Sequence, residues 1–159
     1  MNIIEYPDKG KYVINDLNEK SLIYKINTYE DLFLLKSIKD SNPGLKEITI
    51  PCMFQQQHDR RFNQDESFEL KLVCEFINSC NFSSVGVLDP HSDVVGALLN
   101  NFHKIEPNDY IYNSITDIIG NEERSQVTLV SPDAGAYKKV FKLAEEWNHE
   151  LVAANKFRD

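Results

Sequence analysis

A chain of 159 residues, 42% of them apolar, is long enough for one globular domain with a real core. Its formal net charge of −8 argues against a nucleic-acid-binding surface, which is normally basic, yet leaves room for a nucleotide held by a few local cations and magnesium. No apolar run approaches the roughly 18 residues of a membrane span, and Met1-Asn-Ile-Ile-Glu5 lacks the basic-then-apolar pattern of a secretory signal, so no membrane association is expected.

Residues 11–14 and 21–26 are rich in β-formers, with Asp16-Leu-Asn18 as the turn between them. Thr28-Tyr-Glu-Asp31 has the form of a capping box, followed by Leu32, Leu35 and Ile38 at helical spacing, and Asn42-Pro-Gly44 ends that helix. A strand is predicted over 46–50. Ser67 is positioned to cap a helix whose apolar face is Phe68, Leu72, Phe76 and Ile77. A buried strand over 84–88 and a short helix over 94–99 follow. Between 100 and 120 the pattern weakens to a short strand at 103–105 and a helix at 115–119. The stretch 120–125 reads as a surface loop. A strand over 126–130, a helix striped by Tyr137, Val140, Phe141, Ala144 and Trp147, and a last strand over 150–154 complete the chain.

Short apolar strands alternating with amphipathic helices predict an α/β domain with a mainly parallel sheet and helices on both faces. The whole chain, 1–159, reads as one such domain. Its cysteines, Cys52, Cys74 and Cys80, have no C-x-x-C spacing and read as reduced thiols of a cytoplasmic protein, Cys74 as a buried one. His103 and His149 have no evident partners. Trp147 belongs to an apolar stripe.

Polar clusters follow the predicted strands, and in a parallel sheet such clusters fall on the one edge where these folds bind ligands. Asp89-Pro-His91-Ser-Asp93 presents carboxylates and an imidazole, oxygen donors of the kind magnesium takes alongside substrate phosphate. The same residues also suit a turn and a helix cap. Asp133 of Ser131-Pro-Asp133-Ala-Gly135 faces the same choice between ligand and cap. Gln55-Gln-Gln-His58-Asp59-Arg60-Arg61 suits nucleotide recognition, or is a solvated loop in which Asp59 pairs with an arginine. Lys156 and Arg158, taken alone, are ordinary cations. No Rossmann glycine fingerprint, P-loop or nucleophile elbow occurs.

As a set, these clusters resemble the phosphoribosyl pyrophosphate synthetases (ribose-phosphate pyrophosphokinases). Pro51-Cys-Met-Phe before Gln57-His58-Asp59-Arg60 is similar to that family's Pro-Tyr strand end and Arg-Gln-Asp-Arg loop. Asp89-Pro-His91-Ser-Asp93 is similar to its Asp-Leu-His-x-Asp segment, Ser131-Pro-Asp133-Ala-Gly135 to its Ser-Pro-Asp-x-Gly, and Lys156-Phe-Arg158 to its Lys-x-Arg. The resemblance implies magnesium at His91 and Asp133, and ATP contacts from Gln57, His58, Asp59, Arg60, Asp89 and Asp93. It also implies that Lys156 and Arg158 stabilise a pyrophosphoryl group passing from ATP to the anomeric hydroxyl of ribose 5-phosphate. A homo-oligomer is expected on the same ground.

The departures are specific. Gln57 and His58 stand where the family has arginine and glutamine, so a fixed positive charge is lost. Tyr6-Pro-Asp-Lys-Gly10 is a degenerate form of the family's adenine-contacting segment, and Ala136 replaces a glycine. The family's ribose-phosphate loop has no counterpart, so the chain reads as an N-terminal half lacking its C-terminal partner. Two other expectations fit these departures: a pyrophosphokinase for another ribose 5-phosphate ester such as ADP-ribose, and a non-catalytic homologue that assembles with a complete synthetase.

Overall fold

The computed structural model describes residues 2–14, 18–123 and 126–155. They form two compact units, one ending at Glu106 and one beginning at Pro107. Among the described residues no helix is long and apolar enough to cross a membrane. The expected turn at 16–18 lies largely outside the described residues, as do Lys156 and Arg158.

The first unit opens with an antiparallel hairpin of β1 (Asn2–Glu5) and β2 (Lys11–Ile14). Then come β3 (Ser21–Ile23), α1 (Tyr29–Ser41), β4 (Glu47–Ile50), α2 (Glu69–Asn78), β5 (Ser84–Leu88), α3 (Val94–Leu98) and β6 (Phe102–Ile105). Strands β3 to β6 make a parallel sheet in chain order. This is the α/β architecture with a mainly parallel sheet that the sequence predicts. The core joins sheet and helices: Ile48, Ile50, Val85 and Val87 share one continuous cluster with Leu35 and Ile38 of α1, Val73 and Ile77 of α2, and Val95 of α3.

Local chemistry fixes the helix ends. Thr28 accepts a hydrogen bond from the Asp31 amide, and the Asp31 carboxylate accepts from the Thr28 amide in return, the predicted capping box. At the other end Asn42 is fully buried and spends its amide on the Glu19 carbonyl (2.8 Å).

Helix α2 departs from expectation twice. Its N-cap is Phe68, and Ser67 turns its hydroxyl to the Glu69 carboxylate instead (2.6 Å). Its buried face is Leu70, Val73, Cys74 and Ile77, leaving Leu72 on the outside. The segment is apolar on more than one side, so periodicity alone admits either phase, and contact with the sheet selects one. Cys74 is buried as expected, and burial pushes its thiol up to about 12.

The second unit holds α4 (Asn108–Glu123), β7 (Thr128–Ser131), α5 (Ala134–Trp147) and β8 (Glu150–Ala153). The strands β7 and β8 pair in parallel around the α5 crossover. Helix α4 is longer than the predicted 115–119 and runs through part of the predicted loop, broken at Gly120, whose φ of 79° is left-handed. Of the predicted α5 stripe only Ala144 is fully buried, together with Leu143. Tyr137 and Phe141 stack on each other at the surface, and Trp147 packs edge-on against Tyr112 with centroids 5.3 Å apart.

Candidate functional site

Because β4 and β5 are adjacent and parallel, the loops leaving their carboxyl ends emerge side by side. One carries Gln57, His58, Asp59 and Arg60, the other Asp89, His91 and Asp93. The structure therefore brings these residues to one edge of the first unit.

The backbone there is strained. Asp89 sits at φ 43° directly after β5, and Gln55 at φ 62° in the β4 loop. Non-glycine residues adopt such angles only when the surroundings hold them, and they gather at functional sites. The surroundings are identifiable. The Asp89 amide donates to the Ile105 carbonyl of β6 (2.9 Å), and Pro90 is buried and has no amide to satisfy. The His91 amide donates to Gln56 Oε1 (2.9 Å), while Gln56 Nε2 donates to the Met53 carbonyl (2.9 Å).

Asp59 is 8% exposed and accepts from Arg60 Nε at 3.1 Å, the arginine pairing foreseen as its structural alternative. Ser92 Oγ is buried beside it without meeting hydrogen-bond geometry, yet its dipole is the largest influence holding the Asp59 carboxyl below its ordinary range. Arg60 and then His91 act in the same direction. The carboxylate thus stays ionised, turned inward between the two loops.

Gln57, His58, Arg60, Asp89, His91 and Asp93 are all exposed. Asp93 occupies the N-cap position of α3 but makes no side-chain cap bond, so the capping alternative does not consume its carboxylate. Beyond them Tyr29 donates to Glu69 (2.7 Å) and accepts from Gln55 Nε2 (3.3 Å), a link between α1, the β4 loop and α2 that no sequence pattern marks.

In the second unit Asp133 follows β7 and caps α5, accepting from the Ala136 amide at 2.9 Å. That is its structural alternative, realised with one oxygen. His103 is exposed on β6, and its Nδ1 lies 3.3 Å from Ser84 Oγ, so it has a partner that the sequence did not reveal. His149 lies edge-on to Trp147, centroids 6.3 Å apart.

Among the described residues no three of His, Cys, Asp and Glu gather as a ready-made metal cage. Magnesium does not require one. It binds through one or two carboxylates and completes its shell with water and substrate phosphate. Asp89 and Asp93 are exposed carboxylates on one loop, and Arg60 and His58 lie exposed on the loop beside it.

Comparison with known proteins bears on the resemblance and the fold. No model of a known protein family matches the chain. Over 97% of its length it is 26% identical to a ribose-phosphate pyrophosphokinase from Saccharolobus solfataricus, covering 55% of that protein. It is also 26% identical to the ribose-phosphate pyrophosphokinase of Methanobrevibacter smithii, over 97% of this chain and 54% of that protein. The chain thus spans about half the length of these curated relatives. A crystal structure of phosphoribosylpyrophosphate synthetase from Mycobacterium smegmatis superposes with a TM-score of 0.71 at 14% identity, over 99% of this chain and 56% of that one, which shows a shared fold. In sequence and in fold, the chain resembles the phosphoribosyl pyrophosphate synthetases.

Proposed function

We propose that this chain handles magnesium-ATP in a ribose-phosphate pyrophosphokinase, transferring pyrophosphate to the anomeric hydroxyl of ribose 5-phosphate. The observation that carries the reading is the meeting of two exposed polar loops, 57–60 and 89–93, at the carboxyl edge of adjacent parallel strands. Arg60 and His58 contact the phosphate chain. Asp89, His91 and Asp93 form the metal side of the site on the first unit, and the family resemblance assigns a metal role to Asp133. Magnesium, when bound, neutralises charge on the phosphate chain. Lys156 and Arg158 meet the charge that develops as the acceptor oxygen attacks the β-phosphorus and the bond to the α-phosphate oxygen breaks. No side-chain nucleophile is required, because in-line displacement needs positioning and charge stabilisation. Acceptor binding falls to a second half of the protein, the active form is a homo-oligomer, and the setting is cytoplasmic.

Titration calorimetry with ATP, with and without magnesium, tests this. Wild type should bind ATP in a magnesium-dependent way, and His91→Ala should lose at least about tenfold in affinity, about 1.4 kcal/mol. Magnesium-independent binding, or equal binding by His91→Ala, counts against the assignment.

A second reading is favoured by one observation, the neutral Gln57 and titratable His58 where the relatives' motif has a fixed cation. In that reading the chain is a non-catalytic partner of a complete synthetase. Absence of ATP binding together with co-purification with such an enzyme selects it. If the wild type does bind, comparing ribose 5-phosphate with ADP-ribose as acceptor, with the chain joined to an acceptor-binding second half, decides whether the altered loop reflects a different substrate.

A further inference from the structure

Three consecutive glutamines occupy the β4 loop, and the structure gives each a different place. Gln55 turns back to the Tyr29 hydroxyl from a left-handed backbone, and Gln57 is exposed. Gln56 alone spans the two loops. Its amide is used at both ends, the nitrogen on the Met53 carbonyl of its own loop and the oxygen on the His91 amide of the next, each at 2.9 Å. The orientation follows from the partners, since a carbonyl demands the donor end and an N–H the acceptor end.

The geometry points to Gln56 as a positioning residue, holding the 89–93 segment in place through the His91 backbone. This rests on the nucleotide-handling function proposed above. At the strand end the Asp89 amide donates to the Ile105 carbonyl, Pro90 has no amide, and the next backbone donor along is His91, which Gln56 accepts. The buried Asp59 lies against the same segment at Ser92, so the β4 loop meets it at two consecutive residues. Rigid support of this kind matters because a displacement of about 1 Å at a binding centre can cost on the order of 100-fold in function. The exposed His91 amide can turn to water once Gln56 is gone, so the cost to overall stability is small.

The test uses the full chain with Gln56→Ala, with Gln56→Met, which keeps the volume and removes both hydrogen bonds, and with Gln64→Ala, at an exposed glutamine outside the site, as control. Two quantities are read: hydrogen exchange of the His91 amide by NMR, and the magnesium concentration giving half-maximal ATP binding. Both Gln56 variants should speed His91 exchange at least about tenfold and raise the magnesium requirement by a similar factor. The melting temperature should fall by no more than about 4 °C, and Gln64→Ala should match wild type in both. Unchanged His91 exchange, or an unchanged magnesium requirement in variants of a wild type that binds, overturns the positioning role alone. A wild type that binds no ATP at any magnesium concentration overturns the functional proposal, and the positioning role with it.

Discussion

At the residue scale the site is held together by conformations and charges that stability alone would not choose. A left-handed backbone costs an ordinary L-residue about 1–2 kcal/mol, somewhat less for aspartate. Asp89→Gly removes that strain and regains freedom in the unfolded chain, two effects of about 1 kcal/mol or less that nearly cancel. We expect a melting temperature close to wild type and magnesium-ATP affinity reduced by at least about tenfold. A large fall in melting temperature would instead make Asp89 a structural residue. Asp59 gives a pH signature. Its native carboxyl titrates below the ordinary aspartate value of about 3.9, so as pH falls the unfolded chain takes up the proton first. Its stabilisation is therefore complete above about pH 4 and fades as pH falls through the lower native value. Asp59→Asn should lower the urea midpoint at pH 7, and lower it progressively less as the pH is taken from about 4 down through the native value. A loss that does not change with pH would assign the effect to packing. The strand-end placement of Asp59 and Asp89 was legible because adjacent parallel strands send their loops to one edge. The role of Gln56 was not, since nothing in three identical letters marks the one whose partner lies 35 residues away.

At the element scale, legibility followed how many solutions the pattern allowed. Helix α1 has one cap and one apolar stripe, and the sequence located both. Helix α2 offered two apolar stripes, and only the sheet decides between them. Much of α4 was hidden because Asn, Asp, Ser and Thr recur through it, residues that favour caps and turns as readily as helix interiors. The short α3 depends on a close approach. A Cβ at Gly96 would lie 2.7 Å from Cε1 of the Phe102 ring on β6. Gly96→Ala gains about 1 kcal/mol of helix propensity but overpacks this contact, which typically costs about 1–3 kcal/mol. We expect a net loss of about 1 kcal/mol, a fall of a few degrees in melting temperature. Trimming the ring with Phe102→Leu in the same chain should recover most of it. Additive losses in the double variant would show that the ring is not the cause.

At the scale of the whole molecule, burial is unevenly shared between the two compact units. The continuous apolar cluster runs from Ile26 to Leu99, entirely within the first. In the second, among the described residues, the fully buried apolar side chains are Leu143 and Ala144, and the register pair Val130 and Val152 is exposed on β7 and β8. Parallel strands depend on cover over both faces, and segments below about 70 residues rarely supply more than a few kcal/mol from their own core. A fragment of residues 1–106 should therefore melt cooperatively by circular dichroism, and a fragment of 107–159 should show no cooperative transition. The intact chain carries its own reporter, because its one tryptophan, Trp147, lies at the end of α5 in the second unit. Local stability falls where buried apolar contacts are few. The tryptophan fluorescence midpoint in urea should accordingly precede the far-ultraviolet midpoint, which is weighted toward the larger first unit. Coincident midpoints would mean that the two units unfold as one cooperative body despite the thin core of the second, and magnesium-ATP added to that titration should then raise both midpoints together.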